Sequence, residues 1–268
     1  ITQEEETTHS STAFIERVSQ RGKITRSKID PLPSDSVRLL VDRHGVVWAQ
    51  STGGDAAGFM PNGTRLQKSL GSPNAFGQSI QLAIGSDGEA WYARARPIAQ
   101  IGRVDGSRVV GLPSGLGEPE AFAAASDGSM WEVTSHGAMR IGAHSGVRRI
   151  AVPAVPHNIG LPYPLLVAGT DGTMLYSNGR GVYWLRNSGI VNRYLLPDAT
   201  TWITAMAFGC DGALYIAEND RQLTNVPLPG APQRYPIDAQ YFGLAPARNC
   251  GMWFLSDERI GVFSLVSR

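Results

Sequence analysis

Short apolar runs broken by Asp-Gly and ending in an aromatic recur along the chain. The first reads Leu40-Val41-Asp42-Arg43-His44-Gly45-Val46-Val47-Trp48, and the second Ala83-Ile84-Gly85-Ser86-Asp87-Gly88-Glu89-Ala90-Trp91. Then come Ser126-Asp127-Gly128-Ser129-Met130-Trp131, Thr170-Asp171-Gly172-Thr173-Met174-Leu175, Cys210-Asp211-Gly212-Ala213-Leu214-Tyr215 and Arg248-Asn249-Cys250-Gly251-Met252-Trp253. Their final residues lie 43, 40, 44, 40 and 38 positions apart, a regularity that marks a repeat architecture. Each copy predicts a hairpin. Asp-Gly supplies the positive φ of a tight turn, and the aromatic packs on the buried surface of the second strand. A second turn follows the first five copies, at Asn62-Gly63, Asp105-Gly106, Ser145-Gly146, Ser188-Gly189 and Pro229-Gly230. Outer strands such as Arg108-Val109-Val110 and Asn192-Arg193-Tyr194-Leu195 come next, and Pro113, Pro153 and Pro197 stop their ladders.

Four short strands in about 40 residues, repeated six times, predict an all-β fold: a six-bladed β-propeller with four-stranded antiparallel blades. Repeats start near residues 37, 79, 121, 164, 203 and 241, giving a single domain over 13–268 after a polar tail at 1–12. The last copy has strands over 241–245, 252–256 and 260–265, and residues 21–29 read as its missing turn and outer strand. Pairing of the N-terminal and C-terminal strands would close the ring and remove open sheet edges. Residues 14–18 duplicate a third strand, so a seventh, incomplete blade is the alternative.

Composition narrows the function classes. With 42% hydrophobic and 18% charged residues in 268, wholesale disorder is excluded. The 24 Lys+Arg against 23 Asp+Glu give a net charge of +1, without the basic excess of nucleic-acid binders. No apolar run approaches the ~20 residues that span a bilayer, so neither nucleic acid nor membrane insertion is expected. The chain starts at Ile1 without an initiator methionine or a signal-peptide pattern, which reads as a monomeric domain of a larger protein.

The run Ile101-Gly102-Arg103-Val104-Asp105-Gly106, with Arg140-Ile141-Gly142 and Arg259-Ile260-Gly261-Val262, follows the Asp-Gly-x-x-Trp hairpins. In this the repeat resembles the streptogramin lyase (virginiamycin B lyase-like) propellers and, more loosely, NHL and sensor-type propellers. The resemblance covers nearly the whole chain and rests on scaffold residues, so it implies fold rather than chemistry. It would imply histidines and glutamates on one face, with a magnesium ion. At the family's histidine position, seven residues before the Asp of Asp-Gly, stand Val37, Ile80, Glu120, Pro164, Thr204 and Phe242. At its glutamate position, three residues after the aromatic, stand Ser51, Arg94, Thr134, Asn178, Glu218 and Ser256, of which only Glu218 matches. Pro156-His157 lies 14 residues before Asp171, out of that register. This is an incomplete acid/base set.

The remaining histidines, His9, His44, His136 and His144, show no metal-ligand spacing and read as structural or solvated. Cys210 and Cys250 fall at the same rim of neighbouring blades, where a disulfide or two free thiols are both open. A bridge would point to a periplasmic or extracellular setting. The face carrying the inter-blade and second-to-third-strand loops would hold Arg94, Arg96, Glu120, His157, Tyr163, Trp202, Glu218, Asp220 and Tyr241. Arginines beside tyrosine and tryptophan are typical of binding hot spots, although the aromatics could equally serve blade packing. The leading expectation is a non-catalytic recognition module, without cofactor, that binds a protein or glycan ligand on this face. The alternatives are a lyase-like or hydrolytic enzyme using Glu218, Glu120 and His157 with magnesium near the channel, and a scaffold or sensor propeller.

Overall fold

A computed structural model describes residues 13–18, 23–29, 37–51, 56–62, 64–69, 80–95, 98–113, 117–142, 146–156, 164–169, 172–227, 230–247, 251–256 and 260–264. Every regular element among them is a β-strand. β1 (Ala13–Val18) and β2 (Ile24–Ile29) pair with each other as an antiparallel hairpin. The first blade is β3 (Val37–Val41), β4 (Val47–Ser51), β5 (Ala56–Phe59) and β6 (Arg65–Ser69). The second is β7 (Ile80–Ile84), β8 (Ala90–Arg94), β9 (Gln100–Arg103) and β10 (Val109–Gly111). The third is β11 (Pro119–Ala124), β12 (Met130–Thr134), β13 (Gly137–Ile141) and β14 (Val147–Ile150). The fourth is β15 (Leu165–Ala168), β16 (Met174–Ser177), β17 (Gly181–Arg186) and β18 (Gly189–Leu195). The fifth is β19 (Ile203–Phe208), β20 (Leu214–Glu218), β21 (Gln222–Val226) and β22 (Gln233–Pro236). The sixth has β23 (Tyr241–Pro246), β24 (Gly251–Ser256) and β25 (Ile260–Ser264).

Each sheet is an antiparallel meander in chain order, and the architecture is that of a six-bladed β-propeller. One compact unit carries the first two blades and a second carries the other four. The N-terminal strand expected over 21–29 is present as β2. Its described partner is β1, the segment that duplicated a third strand, and the described sixth sheet has three strands.

The hairpin turns carry the repeat. Gly45, Gly88, Gly128, Gly172 and Gly212 all have φ between 75° and 78°, where only glycine sits without strain. The aspartate beside the turn satisfies its amides. Asp127 Oδ1 accepts from the Ser129 amide at 2.9 Å, and Asp211 Oδ1 from the Ala213 amide at 3.0 Å. The other carboxylate oxygen reaches further: Asp211 Oδ2 accepts from the Tyr215 hydroxyl at 2.7 Å, and Asp127 Oδ2 from Arg140 at 2.7 Å. In the first blade His44 takes the aspartate's place, and Asp42 assumes the role from two residues earlier. It accepts from the amides of His44 and Val46, at 2.9 and 3.0 Å, and from the Trp48 indole at 2.9 Å.

In the second to fifth blades the second strand is buried on both faces, which is why its apolar run is continuous rather than alternating. In the fourth blade Met174 and Tyr176 pack toward Trp131 and Val133 of the third, whereas Leu175 packs toward Leu214 and Ile216 of the fifth. Tyr215 and Leu223 then meet Met252 of the sixth. In the other unit Trp48 packs on Leu82 and Tyr92, joining the first and second blades.

Glycines in the third strand sit under these rings. Gly58 pairs with Trp48, Gly102 with Tyr92 and Gly261 with Phe254 across neighbouring strands. A Cβ added at Gly261 would stand 2.5 Å from Phe254 Cζ and 2.6 Å from Cε1. That ring cannot retreat, because it stacks on Tyr241 at a centroid distance of 4.3 Å. Overpacking of this kind costs about 1–3 kcal/mol, so Gly261→Ala is expected to lower Tm by several degrees in a thermal melt. Gly111→Ala is the matched control: nothing lies within 4 Å of its added Cβ, and its Tm should stay at the parent value.

Candidate functional site

The turns between second and third strands lie at the blade end opposite the Asp-Gly hairpins. In the fifth blade this turn follows Glu218, the last residue of β20, and contains Arg221 at φ 63°. A non-glycine residue there is uncommon. The Arg221 backbone is secured at both ends, its amide donating to the Glu218 carbonyl at 3.3 Å and its carbonyl accepting from the Ile237 amide at 2.9 Å.

Glu218 is fully buried. It shares a face of β20 with Leu214 and Ile216, so its carboxylate leaves the apolar layer between the fourth and fifth blades at the rim. Burial of a carboxylate demands partners. The Thr224 hydroxyl donates to Oε1, and Arg234 donates to Oε2 at 2.6 Å. Arg234 also reaches Asp220 at 3.3 Å. Its guanidinium is a third exposed, so the group that neutralises Glu218 faces solvent. Against the desolvation that would lower it, the charge and hydrogen bond of Glu218, with Asp220, hold the Arg234 pKa above its usual value. Tyr194 of β18 joins the cluster: burial, with the charge of Glu218, pushes its phenol up.

Next to this cluster the Trp202 backbone is clipped to the turn. Its amide donates to Asn219 Oδ1 at 2.8 Å, and its carbonyl accepts from the Asn219 amide at 3.0 Å. The half-buried Trp202 follows Thr201, whose carbonyl accepts from Arg180 Nη1 at 2.8 Å. Asp198 precedes them; hydrogen bonds from the Thr200 amide and hydroxyl hold its carboxyl below the usual range. The fifth blade's rim therefore presents a half-buried tryptophan beside guanidinium and carboxylate groups whose backbones are fixed.

The sequence-derived residues fall into several places. Glu218 and Asp220 are brought together through Arg234, with Trp202 on the adjoining turn. Arg94, at the end of β8, lies 5.7 Å from the Tyr92 ring centroid. When the Gln100 amide oxygen faces it, that oxygen accepts from Arg94 Nη2 at 2.8 Å and from the Tyr92 hydroxyl at 2.6 Å. Glu120 is half-buried in β11, and its charge adds to the burial that raises the Tyr176 phenol. Tyr241 is buried, its ring stacked on Phe254 and Phe263. Arg96, His157 and Tyr163 lie outside the described residues. Cys210 is disulfide-bonded, and Cys250 lies outside the described residues.

Sequence patterns alone missed Arg234, Thr224 and Tyr194, which reach the cluster from outer or third strands. They also missed Glu132. It sits in β12 between its cross-strand neighbours Phe122 and Met139. Only 1% of its surface is exposed, and Oε2 meets no hydrogen-bond partner among the described residues. Desolvation pushes its carboxyl up to about 8.

The magnesium implied by the lyase resemblance does not fit these residues. Both oxygens of Glu218 already accept hydrogen bonds, one from a guanidinium. Among the described residues no three His, Cys, Asp or Glu side chains converge to hold a metal ion.

No protein-family model and no curated protein matches the chain. Solved structures do. It is 21% identical to virginiamycin B lyase from Staphylococcus aureus, with a TM-score of 0.74 over 94% of this chain and 88% of that one. A streptogramin B lyase structure matches at 18% identity and a TM-score of 0.73, covering 93% of this chain and 85% of that one. The extracellular domain of a protein described as a hybrid two component system, from B. thetaiotaomicron, matches at 11% identity and a TM-score of 0.53. That match covers 94% of this chain and 40% of the other. The chain thus shares the streptogramin lyase scaffold. At these identities the likeness shows the fold alone.

Two stability measurements probe the buried carboxylates. Arg234→Ala strips Glu218 of its counter-charge and should cost about 3 kcal/mol, the low end for a buried pair, since Arg234 is partly solvated. Adding Glu218→Gln should recover part of that loss in denaturant titrations. Glu132 binds its proton more tightly folded than unfolded, so stability should fall as pH rises from about 4.3 to about 8. Glu132→Gln should flatten Tm across that window and raise it at pH 8.

Proposed function

We propose that this protein is a non-catalytic recognition module that binds a protein or glycan ligand at the rim formed by Trp202, Asp220 and Arg234. The observation that carries the reading is the state of Glu218. Its carboxylate is spent on holding Arg234 at the surface, so the charge that belongs to the family's glutamate position serves structure here. A general base needs an oxygen free to reach the substrate's proton, and Glu218 has none. Beside it, a tryptophan, a solvent-facing guanidinium and an exposed carboxylate stand on backbones pinned by hydrogen bonds. Little ordering entropy is then lost on binding, and tryptophan and arginine are enriched among residues that dominate binding energy. Trp202 offers a face for a sugar ring or an apolar side chain, and Arg234 with Asp220 offers donors and acceptors for hydroxyls or a polar backbone.

The module works without cofactor, as a monomeric domain of a larger chain, in a periplasmic or extracellular setting. The disulfide at Cys210 supports an oxidising compartment, as does the likeness to an extracellular domain. The enzyme reading rests on the shared scaffold, and a scaffold does not carry chemistry.

The test is affinity capture from the native secretome together with a glycan array, using the parent and the Trp202→Ala/Asp220→Ala variant. A ligand retained by the parent and weakened at least about tenfold by the variant, with Tm unchanged within a few degrees, is the expected result. Equal retention by both proteins, or none by either, would remove this rim as the binding face. Magnesium-dependent turnover of a captured ligand would favour the lyase-like alternative.

A further inference from the structure

The fifth blade's rim carries a backbone feature that packing does not explain. Arg221, at a φ of 63°, is the one non-glycine residue with positive φ among the described residues. The second-to-third-strand turns of the third and fourth blades reverse instead with glycine at positive φ, Gly137 at 124° and Gly179 at 86°. A side chain in the left-handed region crowds the neighbouring carbonyl, a cost that persists only where the surroundings over-determine it. Here the hydrogen bonds to the Glu218 carbonyl and from the Ile237 amide hold the residue in place.

The side chain returns nothing to the fold. It is exposed, and among the described residues no hydrogen bond, ion pair or ring contact engages its guanidinium. Its neighbours are committed. Arg234 pairs with Glu218 and Asp220, at 2.6 and 3.3 Å, and Arg180 donates to the Thr201 carbonyl at 2.8 Å. Asp198 accepts from the Thr200 amide and hydroxyl, at 2.7 and 2.9 Å, and feels the charges of Arg180 and Arg234. Among the described residues, then, Arg221 is the rim guanidinium to which no carboxylate is matched. Strain kept at a residue whose side chain is idle in the fold points to a use outside it.

The rim also limits how a ligand can be read. The amide and the carbonyl of Trp202 are both taken by Asn219, and those of Arg221 by Glu218 and Ile237. At these two residues the backbone is closed to an extended peptide, which binds through main-chain hydrogen bonds. Recognition falls to the side chains, a flat half-buried indole and an open guanidinium. The guanidinium's planar fork matches a carboxylate bidentately, and the indole offers its face to a ring. On the reading that this rim is a binding face, we infer that its ligand is an acidic glycan. A uronic-acid residue places its carboxylate on Arg221 and rests its ring against Trp202.

Isothermal titration of the intact chain with oligomers of galacturonate, glucuronate and mannuronate tests this. Each is compared with the neutral hexose oligomer of the same linkage, and penta-glutamate supplies carboxylates without sugar. At least one uronate oligomer should saturate and bind at least about tenfold tighter than its neutral counterpart. Penta-glutamate should not saturate. Arg221→Gly should erase the preference while Tm holds at or above the parent value, because glycine adopts the left-handed turn without strain. Arg221→Lys keeps the charge but not the fork, and should retain only part of the preference. The inference is overturned by uronate binding no tighter than neutral in all three pairs, or by tighter binding of penta-glutamate. It is equally overturned by a preference that survives Arg221→Gly, or by a Tm that this change lowers by several degrees. A neutral glycan or protein ligand lost by the Trp202→Ala/Asp220→Ala variant but kept by Arg221→Gly would sink the acidic glycan alone and leave the rim as the binding face.

Discussion

A single carboxylate at the hairpin turn of the first, third and fifth blades organises much of this molecule. One oxygen satisfies amides that the reversed chain would leave bare, and where the geometry allows, the second oxygen takes hold of the blade's aromatic. The Asp211–Tyr215 and Asp42–Trp48 pairs show it directly. In the third blade the Ser129 hydroxyl intervenes, donating to Asp127 at 2.6 Å and accepting from the Trp131 indole at 3.2 Å. The ring's polar edge is thereby tied to the turn and its apolar body is turned toward the following blade. Local turn chemistry and long-range packing are set by the same few atoms, the agreement between levels that marks a foldable sequence.

That coupling explains why the architecture was legible in the sequence. Asp-Gly turns, the aromatic three residues on and the Ile-Gly third strand are local patterns, and each does its structural work within a dozen residues. The first blade shows the limit of such matching. His44 stands where most of the repeats have aspartate, yet Asp42 performs the same role from two residues earlier, which only the folded turn reveals. Likewise β1 and β2 carry the right strand composition, but composition does not say whether a strand will pair with its neighbour in sequence or with a distant edge.

The candidate site was legible only in part, for a related reason. Glu218, Asp220 and Trp202 stand at positions that the repeat assigns to one rim. Arg234 comes from the outer strand, where exposure leaves no periodic constraint, and its meeting with Glu218 depends on cross-strand register. Glu132 was invisible because a glutamate beside Trp131 in a short strand looks like a solvent-facing residue. With both faces of the second strand covered, there is no solvent side. Tyr241 erred the other way: its place at the start of an inner strand suggested access, and its ring is instead sandwiched in the last blade's aromatic stack.

The pairing of a third-strand glycine with a second-strand ring bears on how such a protein can grow and diverge. A blade carries its own register marks: a turn carboxylate, a ring and the bare backbone the ring covers. Little of this information is shared with other blades, so a duplicated unit arrives already able to fold and needs only an apolar surface to stack on. The same economy leaves most rim positions unconstrained. Two propellers can therefore drift to one-fifth identity while superposing closely, and neighbouring blades of one chain can be recruited for unrelated ligands.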